Sequence, residues 1–365
     1  MHVKVILISQ FELPYSKIGS WTTMYTNYLS GSNKIDFLIC PKPIQEIDTI
    51  NYVFTDKSLT KKLSNKLLKK PYQNYLKALE KILENDTKYI IQLIDNFGIV
   101  EPLHKFLIRN NYRQNCFIQF FYHGFDPFFG NFQSRPFFEH IDEMVLLTKS
   151  SYEKHLKYYT VLPCSFRILH NSIDTNLFHP VAPDAKRKLK TQLQLENKIV
   201  FIWCSNDRPK KGLKFLINLW KKISKKHPYI HLLVVGNKHE IKHPAITSLG
   251  IISNNKLPAY YQMSDYYLFP TLCKEGFGMS LIEALHCGCY PIASALGGVP
   301  EVLKQGKFGT LIQNPNFYNE WEQAIEDVIT EKTTLTEFTS QYYSHEQWSE
   351  NQNKLIEETR LLLND

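Results

Sequence analysis

The sequence predicts an α/β protein built from two Rossmann-like, doubly wound domains facing a central cleft. Three observations carry this expectation. Short β-branched runs alternate with amphipathic stretches of helical length along the whole chain, the rhythm of parallel sheets covered by helices. The chain has 365 residues, enough for two domains at roughly 150 residues each. Its residues are 43% apolar and 21% charged, with only 15 Gly and 18 Pro, which excludes a disordered chain, a fibre and a disulfide mini-protein.

In the first half, strands are expected at Val3–Ser9, Ile35–Cys40, Tyr89–Asp95, Cys116–Tyr122, Glu143–Thr148 and Phe166–His170. In the second half they are expected at Ile199–Cys204, Ile230–Val235, Ala245–Gly250, Tyr266–Pro270, Tyr290–Ala293 and Gly309–Ile312, each followed by a helical pattern. Two sheets fit this number better than one. Periodicity lapses and turn residues collect from Asn171 through Pro180 to Asp184, so the expected division is a first domain at 1–170 and a second at 171–344, with 171–195 as linker and hinge. The segment 345–365 reads as one more amphipathic helix with no strand after it, expected to cross back to the first domain.

The seven cysteines are an odd number, scattered and mostly set in apolar runs, which reads as reduced core thiols in a cytoplasmic protein. Cys287 and Cys289 form the only close pair, and with no second pair or histidine at ligand spacing no metal site is expected. The opening residues carry an apolar stretch too short for a signal peptide, and no run is long enough to span a membrane. Net charge is +8, with Lys57, Lys61, Lys62, Lys66, Lys69 and Lys70 crowded among leucines at helical spacing. That segment reads either as a solvated helix face or as an attraction to anionic lipid or an anionic substrate. No nucleic-acid fold signature accompanies it.

Doubly wound domains bind ligands beyond the carboxyl ends of their strands, where helix N-termini and free backbone N–H groups gather. The most informative loop there is Lys274-Glu275-Gly276-Phe277-Gly278-Met279-Ser280, running into a helix that carries Glu283. Gly276 and Gly278 permit positive φ and close approach of the backbone, and the first N–H groups of the helix, near Met279 and Ser280, suit a diphosphate. Glu283 lies one turn further on, placed to accept from vicinal hydroxyls of a sugar or ribose, and Glu275 faces the same pocket from the loop.

This segment resembles the signature of the retaining GT-B glycosyltransferases of family 4, the glycosyl transferases group 1, in which two glutamates frame an E-G-F-G-x-x-x-x-E pattern; here they are Glu275 and Glu283. Asn171-Ser-Ile-Asp174 with Phe178 and Pro180 resembles the family's interdomain segment, Gly297-Gly298-Val299-Pro300-Glu301 its G-G-x-P-E loop, Lys211-Gly212 its K-G element, and Ser264-Asp265 its A-D. The resemblance covers roughly residues 170–315 with specific motifs and the first half only in outline.

The resemblance implies that Lys211 neutralises the diphosphate of a nucleotide sugar. The family's arginine position falls on Asn206, and Arg208 is the basic residue this chain supplies nearby. It implies a nucleotide base beside Ile251 and Ile252, backbone contact at Gly19, and a histidine at the reacting centre, here His123 after the strand Cys116–Tyr122. Trp21 reads as acceptor packing or as ordinary helix packing. The aromatic run Phe125–Phe138 reads as a packed loop, a stacking platform for acceptor sugars or a membrane-docking edge.

With no D-x-D pair for Mn²⁺ or Mg²⁺, charge compensation falls to the helix N-terminus, Lys211 and Arg208, so a metal-independent reaction without cofactor is expected. The function implied is transfer of a hexosyl group from a UDP- or GDP-linked sugar to a glycan or lipid-linked acceptor, with retention, by catalytic His123, Glu275 and Lys211. Such an enzyme would be cytoplasmic, at the inner face of a membrane if its acceptor is lipid-linked. The alternatives are a GT-B sugar-nucleotide epimerase and a non-catalytic protein that binds nucleotide sugars or glycans.

Overall fold

The computed structural model describes residues 3–16, 19–55, 72–127, 135–157 and 162–364. Contacts divide the chain into two units, residues 1–171 with 345–365, and residues 172–344. The lysine-rich segment and much of the aromatic run, 128–134, fall outside the described residues.

The first unit is a parallel sheet of seven strands: β1 (Val3–Ile8), β2 (Phe37–Pro41), β3 (Asn51–Thr55), β4 (Lys88–Ile94), β5 (Cys116–Tyr122), β6 (Glu143–Leu146) and β7 (Ser165–Ile168). Its spatial order is β3-β2-β1-β4-β5-β6-β7, so the chain winds outward from β1 in one direction and then from β4 in the other. Strands such as VKVILI and KYIIQLI are apolar almost throughout, as a sheet covered on both faces requires. Helices α1 (Ser20–Ser30), α2 (Gln73–Glu80), α3 (Phe97–Arg109), α4 (Arg135–Glu139) and α5 (Lys149–Leu156) follow strands of this sheet.

β3 is an edge strand that the sequence reading passes over. Its five residues, NYVFT, lie half exposed at the rim, and only Thr55 is buried, so no apolar run of core length marks it.

The second unit has six parallel strands: β8 (Ile199–Cys204), β9 (Ile230–Val235), β10 (Ile246–Gly250), β11 (Tyr266–Phe269), β12 (Tyr290–Ser294) and β13 (Thr310–Ile312), in the order β10-β9-β8-β11-β12-β13. Between residues 171 and 195 the chain forms a helix, α6 (Pro183–Thr191). Lys186 and Lys190 on α6 clamp Asp265 at 2.8 and 2.6 Å, and the same carboxylate accepts from the Val200 amide at 2.8 Å, which fastens this stretch to the second unit. The remaining helices are α7 (Leu213–Lys226), α8 (Leu257–Met263), α9 (Met279–His286), α10 (Val299–Val302) and α11 (Tyr318–Glu331). A core of Trp203, Trp220, Trp321 and aliphatic residues fills one side of this sheet.

The last helix, α12 (His345–Asn364), packs on the first unit. A polar ladder fixes its seat. Gln92, Gln119 and Glu143 occupy one register row across β4, β5 and β6. Gln352 of α12 donates to Gln92 at 3.0 Å, Gln92 to Gln119 at 2.9 Å, and Gln119 to Glu143 at 2.7 Å and to Thr359 of α12 at 3.0 Å. Arg167 closes the row on Glu143 at 2.6 Å. All but Arg167 are fully or almost fully buried, so the ladder supplies partners that water cannot supply there.

Candidate functional site

In a doubly wound sheet the crevice opens where the strand order reverses, because the loops leaving the two central strands part in opposite directions. In the second unit that point lies between β8 and β11. The loop after β8 carries Arg208, Lys210 and Lys211, and the loop after β11 carries Thr271 to Gly278.

The two loops are joined backbone to backbone. Leu272 N–H donates to the Lys210 carbonyl at 2.8 Å, and Gly212 lies so close to Pro270 that an added Cβ would stand 1.9 Å from its carbonyl oxygen. With φ of +76°, Gly212 fills a position only glycine takes without strain. On the other flank Gly298 N–H donates to the Glu275 carbonyl at 2.8 Å, and a Cβ on Gly297 would meet that oxygen at 2.4 Å. Gly297, with φ of +68°, therefore stands where the close backbone approach leaves no room for a side chain.

At the junction Lys211 Nζ lies 2.6 Å from Glu275 Oε1, both side chains being mostly buried. Thr271 Oγ1 donates to the same oxygen at 2.9 Å, and Cys273 Sγ lies 3.4 Å from it. Burial would push the Glu275 carboxyl up, but Lys211, Thr271 and Cys273 together outweigh it and hold the group below its ordinary range. The site thus contains a fixed ammonium beside a fixed carboxylate.

Gly278, with φ of +91°, opens α9, whose first residues Met279 and Ser280 have no acidic neighbour in the first turn. Tyr267 donates to Ser280 Oγ at 2.7 Å. Glu283 receives the Tyr261 hydroxyl at 3.1 Å, yet burial dominates and lifts its carboxyl to about 7. Gly276 is half-buried in the loop, whereas Phe277 turns inward, 2% exposed and edge-on to Tyr343. Arg208 is exposed and forms no ion pair among the described residues. Ile251 is 78% exposed and Ile252 half-buried, just beyond Gly250, whose N–H donates to the buried Asn237 at 3.0 Å.

The second unit therefore gathers Lys211, Glu275 and the start of α9, with Glu283 one turn along. Residues 185–354 match the family of glycosyl transferases group 1. The match takes in most of the second unit and the first half of α12. A GDP-mannose-dependent alpha-(1-6)-phosphatidylinositol monomannoside mannosyltransferase of Mycolicibacterium smegmatis is 29% identical over 157 residues, 38% of this chain and 41% of that protein. A D-inositol 3-phosphate glycosyltransferase of Rhodococcus erythropolis is 25% identical over 60% of this chain and 53% of its own length. The matches thus span about half the length of these curated relatives. Sucrose-phosphate synthase from Thermosynechococcus elongatus has the same fold across 99% of this chain and 100% of its own, with a TM-score of 0.73 at 16% identity. Anabaena HepE in complex with UDP-glucose does so across 97% of this chain and 99% of its own, with the same TM-score and identity. The whole chain has the GT-B fold.

The first unit places His123 after β5. Asp95, after β4, accepts from the His123 backbone N–H at 2.8 Å and sets its second oxygen 3.2 Å from His123 Nδ1. Trp21 stacks on the imidazole with ring centres 6.1 Å apart, and Gly19 precedes α1 in extended conformation. Asp95, Thr271, Cys273 and Tyr261 are the site residues that sequence reasoning did not select. Asp95 and Thr271 had a usable signal, being polar residues one or two positions past a buried strand end; Tyr261, 22 residues from Glu283, had none.

Proposed function

We propose that the protein is a retaining glycosyltransferase that moves a hexosyl group from a UDP- or GDP-linked sugar to a glycan or lipid-linked acceptor without a metal. The observation that carries this reading is the Lys211–Glu275 pair at 2.6 Å beside the start of α9, at the strand-order reversal of the unit that matches group 1. The Anabaena neighbour with UDP-glucose and the GDP-mannose-dependent relative support a nucleotide sugar and leave both bases open.

The bond from the anomeric carbon to the diphosphate oxygen breaks with charge building on that oxygen. Lys211, held in place by Glu275, and the amides of Met279 and Ser280 face that charge, with Arg208 adding to it from the loop. Fixed donors of this kind supply several kcal/mol because they need no reorganisation during reaction. Glu283 accepts from the ribose hydroxyls, and Ile251 and Ile252 flank the base. The acceptor hydroxyl forms the new bond on the face the diphosphate leaves, its proton passing to the departing phosphate oxygen, so configuration is retained. His123, oriented by Asp95, binds the transferred sugar.

Nucleotide release from UDP- and GDP-sugars, measured with and without acceptor glycans or lipid-linked sugars and in excess EDTA, tests the reading. Release accelerated by acceptor and unchanged by EDTA is the expected result. A strict Mn²⁺ or Mg²⁺ requirement contradicts the electrostatic account, isomerised donor without release indicates an epimerase, and binding without turnover a non-catalytic protein.

A further inference from the structure

Beside His123 the first unit has a small, partly open cavity of about 10 Å³, the room of a single water molecule. Four polar atoms on residues of its wall have no hydrogen-bond partner among the described residues: Tyr25 Oη on α1, His123 Nδ1, Asn171 Oδ1 after β7, and Trp348 Nε1 on α12. Tyr25 is 0% exposed, Trp348 3% and Asn171 5%, so bulk water does not serve them. The Asp95 carboxylate lies 3.2 Å from His123 Nδ1 but lacks the alignment of a hydrogen bond. Leaving one such group unpaired costs about 1–3 kcal/mol, and four around one small cavity is far outside what native cores carry.

We infer that this cavity binds one ordered water, and that Tyr25 and Trp348 act through it as positioning residues for His123. The donors and acceptors balance. The Trp348 indole can only donate and Asn171 Oδ1 can only accept. With the Asp95 carboxylate beside it, His123 Nδ1 carries the proton and donates as well. A water accepting from Trp348 Nε1 and His123 Nδ1, and donating to Asn171 Oδ1 and Tyr25 Oη, uses all four of its bonds. The imidazole is thereby held with the Nδ1–H tautomer, leaving Nε2 as the lone-pair nitrogen. This inference does not rest on glycosyl transfer, since every group belongs to one unit and the readout needs no substrate.

The test is a crystal structure at about 1.5 Å together with ¹⁵N NMR of the His123 imidazole in the full chain, wild type, Tyr25→Phe and Trp348→Phe. The expected result is a water peak in the cavity, the Nδ1-protonated pattern in the wild type, and a tautomer ratio moved about threefold or more in each variant, the factor one net hydrogen bond carries. A dry cavity, an Nε2-protonated wild type, or a His123 pattern unchanged in both variants overturns it. Both wild-type readouts decide the matter even where a variant fails to fold.

Discussion

Glu283 and Glu275 are eight positions apart in one motif and have opposite electrostatics, because one faces burial with a single hydroxyl and the other an ammonium. The Glu283 carboxyl is lifted from 4.5 to about 7, so between those values the folded protein holds a proton the unfolded chain has released. Its contribution to stability therefore falls as pH rises from 4.5 to 7, and Glu283→Gln should flatten that part of a denaturation series run from pH 5 to 8. Glu275, held low, contributes stability above its ordinary value and loses it as pH falls, so Glu275→Gln should be damaging at pH 7 and progressively less so as pH drops below 4.5. In kinetics, Glu283→Ala should raise KM for the nucleotide sugar, a ground-state contact, while Lys211→Ala should mainly lower turnover, because the charge it meets grows in the transition state and is complete only on the departing nucleoside diphosphate. Equal loss of both constants in both variants would refute this division. The two glutamates and Lys211 were legible in the sequence because glycines, strand end and helix start all agree over a dozen residues. Tyr261 and Cys273 were not, since their roles follow from tertiary contact with a carboxylate rather than from local pattern.

At the scale of elements, the loops that form the site depend on glycines that let backbones touch. Gly212→Ala would drive a Cβ to 1.9 Å from the Pro270 carbonyl at a φ of +76°, forcing the loops after β8 and β11 apart. It should lower the melting temperature and abolish nucleotide binding together, whereas Gly250→Ala, with φ of +66° but open space around it, should cost only the roughly 1 kcal/mol of a left-handed residue. Parallel strands were readable because burial on both faces makes them continuous apolar runs; β3 escaped because an edge strand needs no such run. The ladder under α12 was also invisible in the sequence, since Gln92, Gln119 and Glu143 come into one row only through strand register. Gln119→Leu should destabilise the first unit by about 2–4 kcal/mol, leaving Gln92, Glu143 and Thr359 short of partners, measurable by urea unfolding.

Across the whole molecule, the chain leaves the first unit at residue 171 and returns to it at 345, so each unit is built from its own sheet while α12 commits both ends of the sequence to one core. The polar and charged groups of the candidate site lie past strand ends in both units, which is why fold class alone pointed to these loops before any geometry was known. No helix among the described residues is long and apolar enough to cross a membrane. If the acceptor is lipid-linked, attachment through the Lys57–Lys70 segment should require anionic vesicles, weaken above physiological salt and drop when Lys61, Lys62, Lys69 and Lys70 become Glu, as judged by co-sedimentation. The central claim is narrower: a nucleoside diphosphate is held at the β8/β11 reversal by Lys211 and the start of α9. Its most direct test is calorimetric titration of UDP and GDP, in EDTA, into wild type and Lys211→Met. Binding of one of the two nucleotides to the wild type, weakened about tenfold or more in the variant, is the predicted result, a loss of about 1.4 kcal/mol or greater. Failure of both to bind, or equal affinity in the two proteins, would contradict the account.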